Sequence, residues 1–302
     1  MTLVAIVGAT GTGKTGLSLD VADELARLGV RAEIVSCDAM QLYRGMDIGT
    51  AKASVAERRG HPHHLLDVLE PWQDAAVPAY RDAALAALRD IEARGVVPIL
   101  VGGSGLYASS VLYDFAFPAT DAALRVELEA ALDEHGAAAM HARLRAVDAA
   151  AAAAIGPHNG RRLVRALEAV TLSGEPFRVG LPPEESLVRP TIIQHRRVER
   201  AALVARLDAR VERMWALGIV DEARALRAAG IERGTTAQQA IGYQQALDQL
   251  DGRIDEAAAI ASTQALTRRY ARRQVSWFQR YPAAPELDAA ALARRAVASL
   301  EA

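Results

Sequence analysis

Apolar and polar positions along this chain switch between a strand-like and a helix-like rhythm, and the switches divide it. The run Leu3 to Val7 is continuously apolar and reads as a buried strand. Behind it Leu17, Val21, Leu25 and Leu28 fall on one helical face, and Gly29 is placed to stop that helix. The alternation then repeats. Ala32 to Ser36 predicts a second strand, Leu65 to Leu69 a short one, and Val96 to Val101 another buried one. Ala79 to Arg94 is an amphipathic helix that Gly95 ends. After about Asp114 the texture changes. Phe115 to Pro118 reads as a link, and Asp121 to Ile155 is helical, alanine-rich and charged, with no strand signal. A helix holding Arg161 to Val170 follows a Gly156-Pro157 turn, and Gly174 to Pro190 is proline-rich and irregular. Thr191 to His195 returns to strand character. Helices are then predicted over Ala201 to Leu217, Val220 to Ala229, Thr236 to Leu250 and about Ile254 to Phe278. The expected fold is α/β, a parallel sheet flanked by helices over residues 1–116 and 191–302, interrupted by a helical insertion at 117–190.

Composition narrows the setting. With 51% hydrophobic and 24% charged residues in 302, the chain can bury a large core. No apolar run reaches membrane-spanning length, and the N-terminus lacks the layout of a signal peptide. A single cysteine, Cys37, excludes an internal disulfide and suits the cytoplasm. Net charge is −2, so any nucleic-acid surface must be local.

Chemistry concentrates at the strand ends. Gly8-Ala9-Thr10-Gly11-Thr12-Gly13-Lys14-Thr15 fits the phosphate-loop pattern G-x-x-x-x-G-K-[ST] between strand and helix. Its glycines let backbone N–H groups close on phosphate oxygens, and the helix N-terminus adds a positive dipole end. Lys14 supplies a point charge, and the Thr15 hydroxyl is a ligand for Mg²⁺. Asp38 lies just past the second strand, on the edge where open parallel sheets bind ligands. The loop from Ala39 to Lys52 is long and mixes polar, aromatic and glycine residues. His61, His63 and His64 are close together, but no cysteine accompanies them, so anion contact or loop packing outranks a metal. Gly102-Gly103-Ser104-Gly105 puts a hydroxyl on a second glycine turn at the same sheet edge.

Two basic helices complete the inventory. Arg161 and Arg165 share a helical face with Arg162 beside them, and Arg268, Arg269, Arg272 and Arg273 interleave with Tyr270, Trp277 and Phe278. Such stripes can neutralise phosphates and stack on bases. Two reaction classes fit this set. In one, a kinase passes a phosphoryl group from ATP to a small acceptor. In the other, the cradled phosphates are a leaving group. A nucleic-acid acceptor explains the arginines and the helical insertion; a small acceptor does not. A non-catalytic ATPase switch would need a later strand ending in an aspartate, and none is clear.

The ordered set of motifs resembles the bacterial tRNA dimethylallyltransferases over nearly the full chain. It rests on Gly8–Thr15, the run Asp38 to Lys52, Pro62-His63-His64-Leu65, Gly102 to Tyr107, Arg162 to Glu168, Ala240-Ile241-Gly242-Tyr243 and Arg268 to Phe278. The resemblance implies dimethylallyl diphosphate as donor and the N6 amine of an adenosine beside the anticodon as acceptor. Gly8, Ala9, Thr10, Gly11, Thr12, Gly13, Lys14 and Thr15 would hold the diphosphate with Mg²⁺. Asp38 would be the general base, Ser104 would bond near the amine, and Lys14 would offset leaving-group charge. Asp38, Ala39, Met40 and Gln41 would receive the target base. Arg125, Arg161, Arg162, Leu163, Val164, Arg165, Arg268 and Arg272 would meet the tRNA anticodon stem-loop. The enzyme would act as a monomer, away from membranes. Three departures stand out: Ser104 replaces the usual threonine, Ala39 the usual serine, and His158-Asn159-Gly160 the usual Asn-Asp-containing turn.

Overall fold

The structure, a computed structural model, describes residues 2–114, 117–177, 187–281 and 285–300. Five parallel strands, β1 (Leu3–Gly8), β2 (Ala32–Ser36), β3 (His63–His64), β4 (Val97–Gly102) and β5 (Thr191–Arg196), form one sheet in the order β3-β2-β4-β1-β5. Central β1, β2 and β4 are buried along their whole length. That is why β1 and β4 read as nearly unbroken apolar runs rather than alternating ones, while β2 carries one buried charge, Glu33, which Arg94 pairs.

Register makes the site edge. Val7 lies opposite Gly102, and Ser36 opposite Val101, so the chain leaves β1, β2 and β4 in one row. Gly102 fits there because a Cβ would lie 2.4 Å from the Cys37 carbonyl oxygen. Gly8, at φ 146°, has a similar reason: a Cβ would meet the Arg196 carbonyl oxygen at 2.5 Å.

The helices of this part are α1 (Lys14–Arg27), α2 (Val77–Ala93), α3 (Gly105–Leu112), and later α7 (Arg200–Ala216), α8 (Ile219–Ala229), α9 (Tyr243–Leu250), α10 (Glu256–Phe278) and α11 (Ala289–Ala298). The core under the sheet joins Val4, Ile6, Ile34 and Ile99 to Leu25 of α1 and to Leu292 and Ala296 of α11. Three expectations change. The short strand is His63–His64 rather than Leu65 to Leu69, because Leu65 and Asp67 take positive φ and leave the sheet. The helix expected from Thr236 is a 3₁₀ turn, Ala237–Gln239, followed by α9, broken at Gly242 with φ 96°. Helix α11 lies beyond the last helix that periodicity marked.

The chain divides into two compact units, Met1–Asp114 with Glu184–Ala302, and Phe115–Pro183. The second is built from α4 (Ala122–Val147), α5 (Ala149–Ile155) and α6 (Gly160–Ser173) around Leu128, Met140, Leu144, Leu163, Val164 and Leu167. Helix α4 breaks at Gly136, φ 77°. Asn159 caps α6, its side-chain oxygen accepting the Arg162 N–H at 3.2 Å. Residues 178–186 of the proline-rich stretch lie outside the described residues. No helix among the described residues is long and apolar enough to cross a membrane.

Candidate active site

The phosphate loop opens α1 without a side-chain cap: Gly13 stands at the N-cap with φ 83°. The first-turn N–H groups of α1 are thereby left for an anion. Lys14 reaches back so that its Nζ donates to the Ala9 carbonyl at 2.7 Å. Burial pushes Lys14 down to about 8, against the pull of Asp38. Thr12 is structural, its hydroxyl donating to the Ala9 carbonyl at 2.8 Å. Thr10 is held at both ends: its N–H donates to Gln274 Oε1 at 2.8 Å, and its hydroxyl accepts from Arg210 Nη1 at 2.7 Å.

Asp38 sits on a turn that its own side chain stabilises, Oδ1 accepting the Met40 N–H at 3.0 Å. Ser104 is buried behind this turn, and its Oγ accepts the Ala39 N–H at 3.0 Å. The hydroxyl thus fixes the aspartate's backbone. Tyr270 of α10 also bonds to Ser104, and burial pushes its phenol up to about 12, so it stays protonated.

Two cavities open at this edge. The larger, about 910 Å³, is walled by Gly11, Gly13, Lys14 and Thr15 and reaches Gln41, Lys52 and His63. The smaller, about 280 Å³, is walled by Ala39, Met40, Ile241, Tyr243, Tyr270 and Arg273. Asp38, Thr10, Thr50, Arg210 and Met214 line both. Gln41 therefore faces the phosphate side, where its amide bridges the Ser36 hydroxyl and the Thr50 carbonyl.

The loop from Ala39 to Lys52 owes its shape to charges buried under it. The Lys52 Nζ meets Asp47 at 2.7 Å, Asp67 at 2.5 Å and the Tyr43 carbonyl at 2.8 Å. Glu222 of α8 accepts the N–H groups of Asp47, Ile48 and Gly49, and Tyr243 donates to it at 2.5 Å. Gly49 packs on the Tyr243 ring, where a Cβ would come within 2.4 Å.

Of the clustered histidines, His61 pairs with Asp23 and His64 with Glu33, while His63 faces the larger cavity. Among the described residues no group of three or more His, Cys, Asp or Glu side chains is arranged to hold a metal.

In the helical unit, Leu163 and Val164 are core residues, and the Leu163 N–H is spent on the Asn159 carbonyl at 2.9 Å, so neither presents its side chain to a ligand. Arg125 and Arg165 both bond Glu168 Oε2, at 2.6 and 2.7 Å. Arg161 and Arg162 are exposed. On α10, Arg268 pairs with Asp208 at 2.6 Å and Arg272 is exposed.

Sequence reasoning missed Arg210, Gln274, Glu222 and the placing role of Tyr243. Arg210 carried a signal. It falls on the stripe of Leu203, Leu207 and Met214, where a charge on an apolar face asks for a buried anion. Burial pushes its guanidinium down, and its Nε is buried with no partner among the described residues.

Comparison with known proteins gives the family. Residues 41–281 match the family described as IPP transferase. A tRNA dimethylallyltransferase of Clavibacter sepedonicus is 56% identical over 95% of this chain and 93% of its own length. One from Kineococcus radiotolerans is 52% identical over 93% of this chain and 88% of its own. The full-length tRNA isopentenylpyrophosphate transferase of Bacillus halodurans superposes with a TM-score of 0.67 at 36% identity, covering 100% of this chain and 99% of that one. A eukaryotic dimethylallyltransferase acting on tRNA shares the fold, at a TM-score of 0.73 and 24% identity, covering 92% of this chain and 70% of that one. With a family match over most of its length and relatives above half identity, this chain belongs to the IPP transferase family.

Proposed function

We propose that this chain transfers the dimethylallyl group of dimethylallyl diphosphate to the N6 amine of an adenosine beside the anticodon of tRNA, releasing diphosphate. The observation that carries this reading is one carboxylate, Asp38, lining both a phosphate-loop cavity and a smaller cavity walled by Tyr270 and Ile241. The donor's diphosphate rests on Gly8–Thr15, and its allylic carbon points to the junction. The adenine leaves its stack and enters the smaller cavity. The N6 nitrogen forms a bond to the allylic carbon as the carbon–oxygen bond to diphosphate breaks. Asp38 takes the N6 proton, and the electron pair leaves with the diphosphate, where Lys14 and Arg210 offset its charge. Ser104 and Tyr270 hold the Asp38 turn.

The site fits Mg²⁺. Thr15 offers a hydroxyl on the wall of the larger cavity, beside the phosphate loop, as a ligand for an ion that keeps waters and binds substrate phosphates. When bound, Mg²⁺ would neutralise part of the diphosphate charge.

The acceptor's stem-loop is met by Arg161 and Arg162 and by what Glu168 leaves of Arg125 and Arg165. Arg268 and Arg272 contribute from α10. One chain walls both cavities, which suits a monomer, and a tRNA acceptor suits the cytoplasm. A kinase acting from ATP is not favoured, because the relatives are tRNA transferases by name.

The test offers unmodified tRNA with either dimethylallyl diphosphate or ATP, followed by nucleoside mass analysis. N6-isopentenyladenosine is expected with the first. A phosphorylated small acceptor from ATP, with no prenylated adenosine, would overturn the reading.

A further inference from the structure

Gln274 is 5% exposed and lies one turn after Tyr270 on α10. Both ends of its amide are used. Oε1 accepts the Thr10 N–H at 2.8 Å, and Nε2 donates to the Gly103 carbonyl at 2.7 Å. One end must accept and the other must donate, so neither glutamate nor a purely apolar side chain can replace it in full. Packing allows no slack: a Cβ on Gly103 would meet Gln274 Nε2 at 2.7 Å. The amide therefore ties the phosphate loop to the second glycine turn.

Thr10 passes the constraint on. Anchoring its N–H holds the Thr10 backbone in place, and from there its hydroxyl accepts from Arg210 Nη1 at 2.7 Å. That bond sets the azimuth of a guanidinium whose Nε is buried with no partner among the described residues and which lines both cavities. A buried cation of this kind is costly until an anion arrives. Its aim therefore decides how well the anion is met, because charge-assisted bonds to phosphate depend on direction as well as distance.

We propose that Gln274 is a positioning residue for donor binding: it orients Thr10 and, through the Thr10 hydroxyl, the Arg210 guanidinium. The inference rests on the larger cavity being the diphosphate site. Gln274 does not touch the donor. It makes α10, the helix that carries Tyr270 and Arg273 to the acceptor cavity, also the helix that sets the donor's cation.

The test is a double-mutant cycle on the full chain, titrating Mg²⁺ with inorganic pyrophosphate by calorimetry. Q274M keeps the length of the side chain and removes the bonds to Thr10 and Gly103, together with the contact to the Tyr270 hydroxyl. T10V keeps the shape of the loop and removes the acceptor for Arg210. Each single variant should weaken pyrophosphate binding about fivefold or more, and the double should be no weaker than the weaker single, because both break one relay. Q274M should keep its affinity for tRNA. Independent losses that multiply in the double variant would overturn the proposal, as would a parallel loss of tRNA affinity, which marks a loosened helix. Should Q274M fail to fold, Q274L, which removes the same amide bonds, takes its place in the cycle with T10V, with the same expectation of no further loss. Failure of the wild-type chain to bind pyrophosphate would overturn the donor site itself. Normal binding by both wild type and Q274M would overturn only the role of Gln274.

Discussion

The sheet edge and the helical unit both gather cations, and they treat them in opposite ways. At the sheet edge Lys14 and Arg210 are half-buried on the cavity wall. Burial pushes both down, and Asp38 is the carboxylate whose charge acts on both. In the helical unit Arg125 and Arg165 converge on Glu168, whose side chain is 0% exposed. There the counter-charge is built in. A buried cation without its anion costs stability unless a ligand supplies one, whereas a cation already paired is scaffold first. The difference separates groups that bind from groups that brace, and substitutions can test it from either side.

The largest effect should come from the carboxylate between the cavities. Asp38→Ala should lower transfer about 10²–10⁴-fold while tRNA binding is largely kept, since the change removes a proton acceptor rather than a binding surface. Counting prenylated adenosine per turnover time checks it, and a near wild-type rate would remove Asp38 as base. Next in size is Arg210→Met. Loss of a charge-assisted contact should raise the KM for dimethylallyl diphosphate about 10–100-fold with a smaller change in kcat. An unchanged KM would make Arg210 a brace like Arg125. The neighbouring Lys14 adds a pH signature. Held down to about 8 by burial, it loses its charge as pH rises through that value, so kcat/KM for the donor should fall above about pH 8. A profile flat to pH 9.5 would mean that the lysine charge is not needed to bind the donor.

Much of the sheet edge was legible in the chain. Strands rich in β-branched and aliphatic residues stand out from the helical stretches around them, so β1, β2, β4 and the half-buried edge strand β5 could be placed within a residue or two. Phosphate binding leaves glycines, so the loop and the second turn could be read as well. His63–His64 could not, because a two-residue edge strand has no periodicity to read. Helix α11 was hidden by its alanines, which mark no face as strongly as leucine does. Arg210, Gln274 and Glu222 act across more than a hundred positions of chain; the local pattern marks Arg210 as a charge on an apolar stripe but names none of the partners. Arg165 and Glu168 are three apart on α6, a pairing that the sequence allowed, whereas the reach of Arg125 to the same carboxylate is not local.

Glu168 tests the bracing side of the comparison. Burial pushes its carboxyl up, but bonds from Arg125, the Asp121 N–H and Arg165 outweigh that and hold it below the ordinary range. A carboxyl depressed in the folded state contributes stability above its unfolded value, about 4.3, and loses it as pH falls through the folded one. Glu168→Ala should therefore destabilise the helical unit by about 1–3 kcal/mol at neutral pH, by leaving buried donors unmatched. Thermal melts from pH 7 down to pH 3 should show the gap between wild type and variant closing in acid. A gap that is constant with pH would mean that packing, not charge, holds the unit.

The smallest effects lie on α6, where the two kinds of arginine stand three residues apart. Arg162 is exposed, and its loss should leave melting unchanged. If it meets a phosphate, Arg162→Ala should weaken tRNA binding and reduce the slope of log K against log salt by about 1, because one fewer counterion is released. Arg165 spends its guanidinium on Glu168 and on the Pro118 and Ala119 carbonyls, at 2.6 and 3.0 Å for the last two. Arg165→Ala should therefore lower the melting temperature and move the salt slope less than Arg162→Ala does. Filter binding across a salt series, run beside melting curves, resolves the pair. Equal slopes with equal melting for both variants would erase the distinction between binding and bracing arginines. A slope change confined to Arg165→Ala would reverse it, and would mean that the guanidinium leaves Glu168 when RNA is bound.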